Sequence, residues 1–117
     1  PLARNAEMLR YYHTHLCGSA IDYVLFGHIG DAHLHVNVLP NSDAEFLSAQ
    51  RLLLDFAKHT VELGGTVSAE HGLGKRKAHL LELQYTHHQI ESMKAVKRRL
   101  DPAWLLNQGN LFPAFPH

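Results

Sequence analysis

Apolar and polar positions alternate along this chain with two different periods, and the changes of period mark its elements. From Leu2 to about His15, the residues Leu2, Met8, Leu9 and Tyr12 fall roughly on one stripe that Leu16 continues, predicting a helix ended by Gly18 and Ser19. Ile21 to Phe26 is a short apolar and aromatic run that reads as a strand, and Gly27 to Ala32, with two glycines and Asp31, reads as a tight turn. Strict alternation follows. His33, His35 and Asn37 point one way and Leu34, Val36 and Val38 the other, a strand that Pro40 ends.

Asn41, Ser42 and Asp43 supply N-cap chemistry for an amphipathic helix carrying Phe46, Leu47, Leu53, Leu54, Ala57 and Val61, which stops at Gly64–Gly65. Thr66 to Ala69 reads as a third strand and Glu70 to Lys77 as a polar loop. Leu80 to Leu83 predicts a helical turn or two. Thr86 caps a helix over His87 to Leu100 with Ile90, Met93, Val96 (or Lys97) and Leu100 inward, closed by Asp101–Pro102. The tail from Trp104 to His117 reads as an ordered extended segment. Strands flanked by helices predict an α+β fold: a ferredoxin-like antiparallel sheet with helices on one face, forming part of a larger unit.

Composition narrows the class. The 117 residues set an expectation of one domain, and 11 Lys+Arg against 11 Asp+Glu argue against a non-specific nucleic-acid binder. A single cysteine, Cys17, excludes an internal disulfide framework and a CxxC zinc ribbon. No apolar run reaches the ~18 residues of a membrane span. No signal peptide is visible, the chain opens at Pro1 rather than Met, and a piece of a longer cytoplasmic protein, at most peripheral to the inner membrane, is the expectation.

Histidine changes the picture most: there are 11, as many as all carboxylates together. If residues 29–32 form a hairpin tip, His28 sits opposite His33 and diagonal to His35, three imidazoles on one face. Two imidazoles and a carboxylate are a ligand set for divalent transition metals. Asp31 is a ligand, an orienting group or a turn residue. In the second cluster, Ser68 to Lys75, Glu70 can complete a ligand set and His71 is a candidate general base. In a continuing strand those two side chains would point apart, so both serve one site only if the chain bends, which Gly72 permits. The Gly72-Leu73-Gly74-Lys75 spacing matches no Walker A loop.

Three segments, GHIGDAHLHVN (27–37), GGTVSAEHGLGKRK (64–77) and LDPAWLLNQGNLFP (100–113), resemble the C-terminal domain of FAD-linked oxidases of the vanillyl-alcohol oxidase superfamily. Members include D-lactate dehydrogenases, glycolate oxidase flavin subunits and D-2-hydroxyglutarate dehydrogenases. The resemblance implies that residues 1–117 are the C-terminal part of a substrate (cap) domain whose FAD-binding domain lies outside this chain. It implies a divalent metal, zinc or manganese or iron, on His28, His35 and Glu70, with His71 as the base that takes the substrate hydroxyl proton. Asn37 and His33 are then substrate contacts and Asn107 a flavin-facing residue. The implied reaction oxidises a D-2-hydroxy acid to the 2-oxo acid with hydride transfer to FAD, and the 117 residues alone are expected to be inactive. Implied partners are that small-molecule substrate, the FAD domain and an electron-acceptor protein. Ala32-His33 departs from the family's usual Gly-Asn. Two alternatives stand beside this: a stand-alone metal- or ligand-binding module, and a histidine-triad-like nucleotide hydrolase, which His33-Leu34-His35-Val36-Asn37-Val38 resembles with Asn37 in the third position.

Overall fold

The computed structural model describes residues 1–112. Their packing divides into two compact units, Pro1–Thr66 and a second that begins at Val67. The first runs from a single 3₁₀ turn (Leu2–Arg4) through α1 (Asn5–Gly18), β1 (Asp22–His28), a second 3₁₀ turn (Ile29–Asp31) and β2 (His33–Leu39) to α2 (Asp43–Glu62). The second contains a bent loop, a 3₁₀ turn (Ala78–Leu80), a short α3 (Leu81–Gln84), and α4 (His87–Leu100). The expected α+β class with an antiparallel sheet holds, and the sheet among the described residues is the β1–β2 hairpin. No described helix is long and apolar enough to cross a membrane.

In the first unit the sheet's Val36 and Val38 pack on a core of Met8, Leu16, Phe56 and Leu63. Leu16 is 1% exposed, and burying such a side chain contributes about 1.5–3 kcal/mol. Tyr12 meets Phe56 edge-on at 4.8 Å, an arrangement the ring quadrupoles favour. Helix α2 starts because Ser42 Oγ accepts from the Glu45 amide at 3.2 Å, satisfying one of the amides the first turn leaves without a helical partner. It ends at Gly64, which takes the left-handed backbone (φ 76°) that closes a helix. Its inward stripe keeps the expected Ala57 but otherwise differs from the sequence expectation: Ala49 and Phe56 are buried, while Phe46, Leu47 and Leu53 are exposed. A run this rich in leucine offers more than one apolar face, and periodicity alone does not select between them.

The second unit is built on Leu73, Leu81, Ile90, Trp104 and Phe112. Thr86 opens α4 with a capping box. Its hydroxyl accepts from the Gln89 amide at 3.3 Å, and the Gln89 side chain accepts from the Thr86 amide at 2.9 Å. Lys97, not Val96, takes the inward position. Its ammonium reaches the Asp101 carboxylate and the Leu106 carbonyl, and lies 5.7 Å from the centre of the Trp104 ring. Leu100 is exposed, against the expectation.

The third strand expected over Thr66–Ala69 does not form. The Val67 amide donates instead to the Gln84 side chain at 3.0 Å, so its hydrogen bond is made without a ladder. The described part of the tail, residues 104–112, is not extended either. Trp104, Asn107 and Leu111 adopt left-handed backbone, and the buried Asp101 carboxylate gathers the turn by accepting from the Leu105 and Leu106 amides, each at 3.0 Å. The end of the expected tail, 113–117, lies outside the described residues.

Candidate functional site

The hairpin fixes the first set of candidate side chains. Its register pairs His28 with His33, Phe26 with His35 and Val24 with Asn37. Directly paired residues share a face, so one face carries Val24, Phe26, His28, His33, His35 and Asn37, and the other carries the residues that meet the core. The three histidines therefore share one face, as expected. Ring centroids of His28 and His33 are 5.8 Å apart, and those of His33 and His35 are 4.6 Å apart. His33 and His35 each offer a ring nitrogen within 4.8 Å of the other's. His28 and Asn37 are exposed, while His33 and His35 are half-buried.

Two features shape this face locally. Gly27 has φ 138°, a conformation closed to L side chains. A Cβ there would press on the His33 carbonyl oxygen and stand 3.0 Å from Leu34 Cα. Ala32 closes the tip in the left-handed region at φ 53°, where a glycine would rest without strain. Asp31 lies exposed in the 3₁₀ turn at the tip.

One residue escaped the sequence reading. Phe26, half exposed, stacks on His35 with centroids 5.1 Å apart and planes 23° apart. It limits the ring's freedom and gives it one apolar side. The signal was available: once His28 is set opposite His33, two steps back along β1 lies opposite two steps forward along β2.

In the second unit the chain bends through residues 69–71, and Gly72 (φ 68°) and Gly74 (φ 60°) take left-handed backbone. That bend resolves the orientation problem posed by adjacent side chains in a strand. Glu70 Oε2 lies 3.2 Å from His71 Nε2, and the imidazole is 80% exposed. With Nε2–H donating to the carboxylate, the proton-accepting lone pair falls on Nδ1, a tautomer assigned from the contact. An exposed imidazole of fixed tautomer, backed by a carboxylate, is suited to general base work.

Asn107 is exposed at a left-handed turn, its carbonyl accepting from the Asn110 amide at 2.9 Å. The turn is anchored one residue earlier by the Asp101 carboxylate and by Lys97. Lys97 foremost, then the Leu106 and Leu105 amides, hold the Asp101 carboxyl below the usual carboxylate range, against the opposing effect of burial.

Residues 1–111 match the sequence model of a family described as FAD linked oxidases, C-terminal domain. The chain belongs to this family. Curated relatives are similar along most of it. Glycolate oxidase subunit GlcD of Bacillus subtilis is 33% identical over 96% of the chain and 24% of that protein. D-2-hydroxyglutarate dehydrogenase of Stutzerimonas stutzeri is 41% identical over 80% of the chain and 21% of that protein. The mitochondrial D-lactate dehydrogenase [cytochrome] of Arabidopsis thaliana is 30% identical over 100% of the chain and 21% of that protein. The chain thus spans about a fifth to a quarter of these relatives' length. Membership favours the oxidase resemblance over the histidine-triad one.

Proposed function

We propose that this chain is the C-terminal part of the substrate domain of a flavin-dependent enzyme that oxidises a D-2-hydroxy acid of the lactate, glycolate or 2-hydroxyglutarate type to the 2-oxo acid. The observation that carries the reading is the histidine face of the hairpin, in a family whose relatives are named for 2-hydroxy acid chemistry. The donor chemistry fits a borderline divalent cation, zinc or manganese or iron, with His28 and His35 from the hairpin and Glu70 from the bent loop as ligands. The exposed Asn107 amide, beside exposed Leu105 and Leu106, fits contact with a flavin held elsewhere in the polypeptide. When bound, the cation supplies a Lewis acid that makes a coordinated hydroxyl more acidic, and FAD supplies the hydride acceptor.

The chain's own residues then do the following. His71 takes the hydroxyl proton at Nδ1, and Glu70, in contact with Nε2, stabilises the imidazolium that results. Asn37, on the face that carries His35, meets the substrate's polar groups. Residues 1–117 alone do not turn substrate over, since hydride has no acceptor without the flavin; an electron-acceptor protein is the further partner.

In the complete enzyme, Glu70→Gln or His35→Ala should abolish metal retention and lower turnover by at least ~100-fold, the scale of a lost acid–base or electrostatic element. Elemental analysis and a turnover assay on D-2-hydroxy acids read both effects. Full activity in a metal-free variant overturns the metal's role.

A further inference from the structure

His33 stands where the hairpin leaves it least able to avoid a bound cation. His28 and His35 are diagonal neighbours across the two strands, and His33 occupies the corner between them, directly opposite one and two residues from the other. An ion held by the diagonal pair would rest against the His33 ring. The spacing of His33 and His35 agrees with shared ligation. A nitrogen about 2.0–2.1 Å from the metal puts the ring centre about 3.2 Å from it, so two imidazoles on one ion have centroids about 4.5 Å apart at a right-angle bite and about 5.2 Å apart at a tetrahedral one. The observed 4.6 Å for His33–His35 falls between those values, and the 5.8 Å for His28–His33 lies about 0.6 Å beyond the larger one. Nitrogens of His33 and His35 already within 4.8 Å need to close by no more than about 1.5 Å to reach a tetrahedral bite, a matter of side-chain torsion. Phe26, stacked on His35, blocks one side of that ring and leaves its edge for coordination.

We propose that His33 is a third imidazole ligand of the hairpin's metal, rather than a substrate contact, and that this nitrogen-rich set selects Zn2+ over Mn2+. The inference rests on the reading that the hairpin holds a metal. Imidazole suits zinc, whereas manganese favours carboxylate, carbonyl and water oxygens, so each added nitrogen tilts the preference toward zinc.

The test uses the full-length protein loaded with Zn2+ alone. X-ray absorption at the zinc edge should count three imidazoles in the unsubstituted protein and two in His33→Asn. In competition between Zn2+ and Mn2+, His33→Asn should weaken zinc by at least ~10-fold and manganese by less than ~3-fold. Two imidazoles in both proteins with an unchanged Zn2+/Mn2+ ratio, while His35→Ala loses zinc, overturns the role of His33 and leaves the metal reading standing. An unsubstituted protein that takes up no zinc and no manganese overturns both. Should His33→Asn fold poorly, the imidazole count in the unsubstituted protein decides the matter by itself.

Discussion

Replacing Gly27 with alanine tests whether the hairpin register is what holds the histidines together. The added methyl would meet only backbone: the His33 carbonyl, and Leu34 Cα at 3.0 Å. No rotamer change can relieve that, so either the strands separate locally or Gly27 leaves φ 138°. A side chain held in such a conformation costs about 1–3 kcal/mol, of which the stiffer unfolded chain returns about 0.4–1 kcal/mol. With displaced strand backbone added, a net destabilisation of about 2 kcal/mol is expected, or roughly a 30-fold rise in the open population of the hairpin. Gly30→Ala is the matched control, since a Cβ there meets nothing within 4 Å. Amide hydrogen exchange of β1 and β2 in the full-length protein, with a zinc titration alongside, reads both consequences. Gly27→Ala should lose protection across the hairpin and bind zinc more weakly, while Gly30→Ala should do neither. Wild-type exchange and affinity in Gly27→Ala would refute the register as the organising element.

Ala32→Gly should act in the opposite sense: relief of the left-handed backbone at φ 53° is worth about 1–2 kcal/mol and the added chain entropy removes about half, leaving a gain of up to about 1 kcal/mol by urea denaturation. A lower midpoint would show that the tip carries no strain. Thr86→Ala removes one side of the capping box and should cost about 1 kcal/mol, with Thr86→Ser nearly neutral; equal loss in both would point to the methyl instead of the hydroxyl. Asp101 contributes stability that is complete above the ordinary unfolded carboxylate value of about 3.9, and loses it as pH falls through its lower folded value. Asp101→Asn should therefore destabilise at neutral pH and flatten the acid side of the stability curve, followed as the urea midpoint between about pH 6 and pH 2; an unchanged acid slope would remove Asp101 from the account.

The hairpin was legible because two independent signals agreed. Strict alternation from His33 to Val38 fixed the faces, and the glycine-bearing tip fixed the register, so the pairing of His28 with His33 followed from counting. The Glu70–His71 bend was legible only as a condition, since glycine permits a turn without dictating one. What the pattern missed has physical causes. The pattern left Val96 and Lys97 as alternatives in α4, and Lys97 took the inward face because its ammonium finds the Asp101 carboxylate and the Leu106 carbonyl there, a gain that hydropathy does not count. Val67 failed to seed a strand because a glutamine side chain, remote in sequence, took its amide. Of the left-handed positions Trp104, Asn107 and Leu111, only the asparagine carries an intrinsic preference for that backbone, so the turns at the tryptophan and the leucine had no local signal.

The chain's one tryptophan, Trp104, is buried in the second unit's core beside Phe112. Indole fluorescence from these residues therefore reports on that core, while the histidine-bearing strands belong to a unit whose aromatic rings are tyrosine and phenylalanine. A melting curve followed by tryptophan emission can look native while the imidazole face has already come apart, so cation-binding variants call for a probe of the hairpin itself.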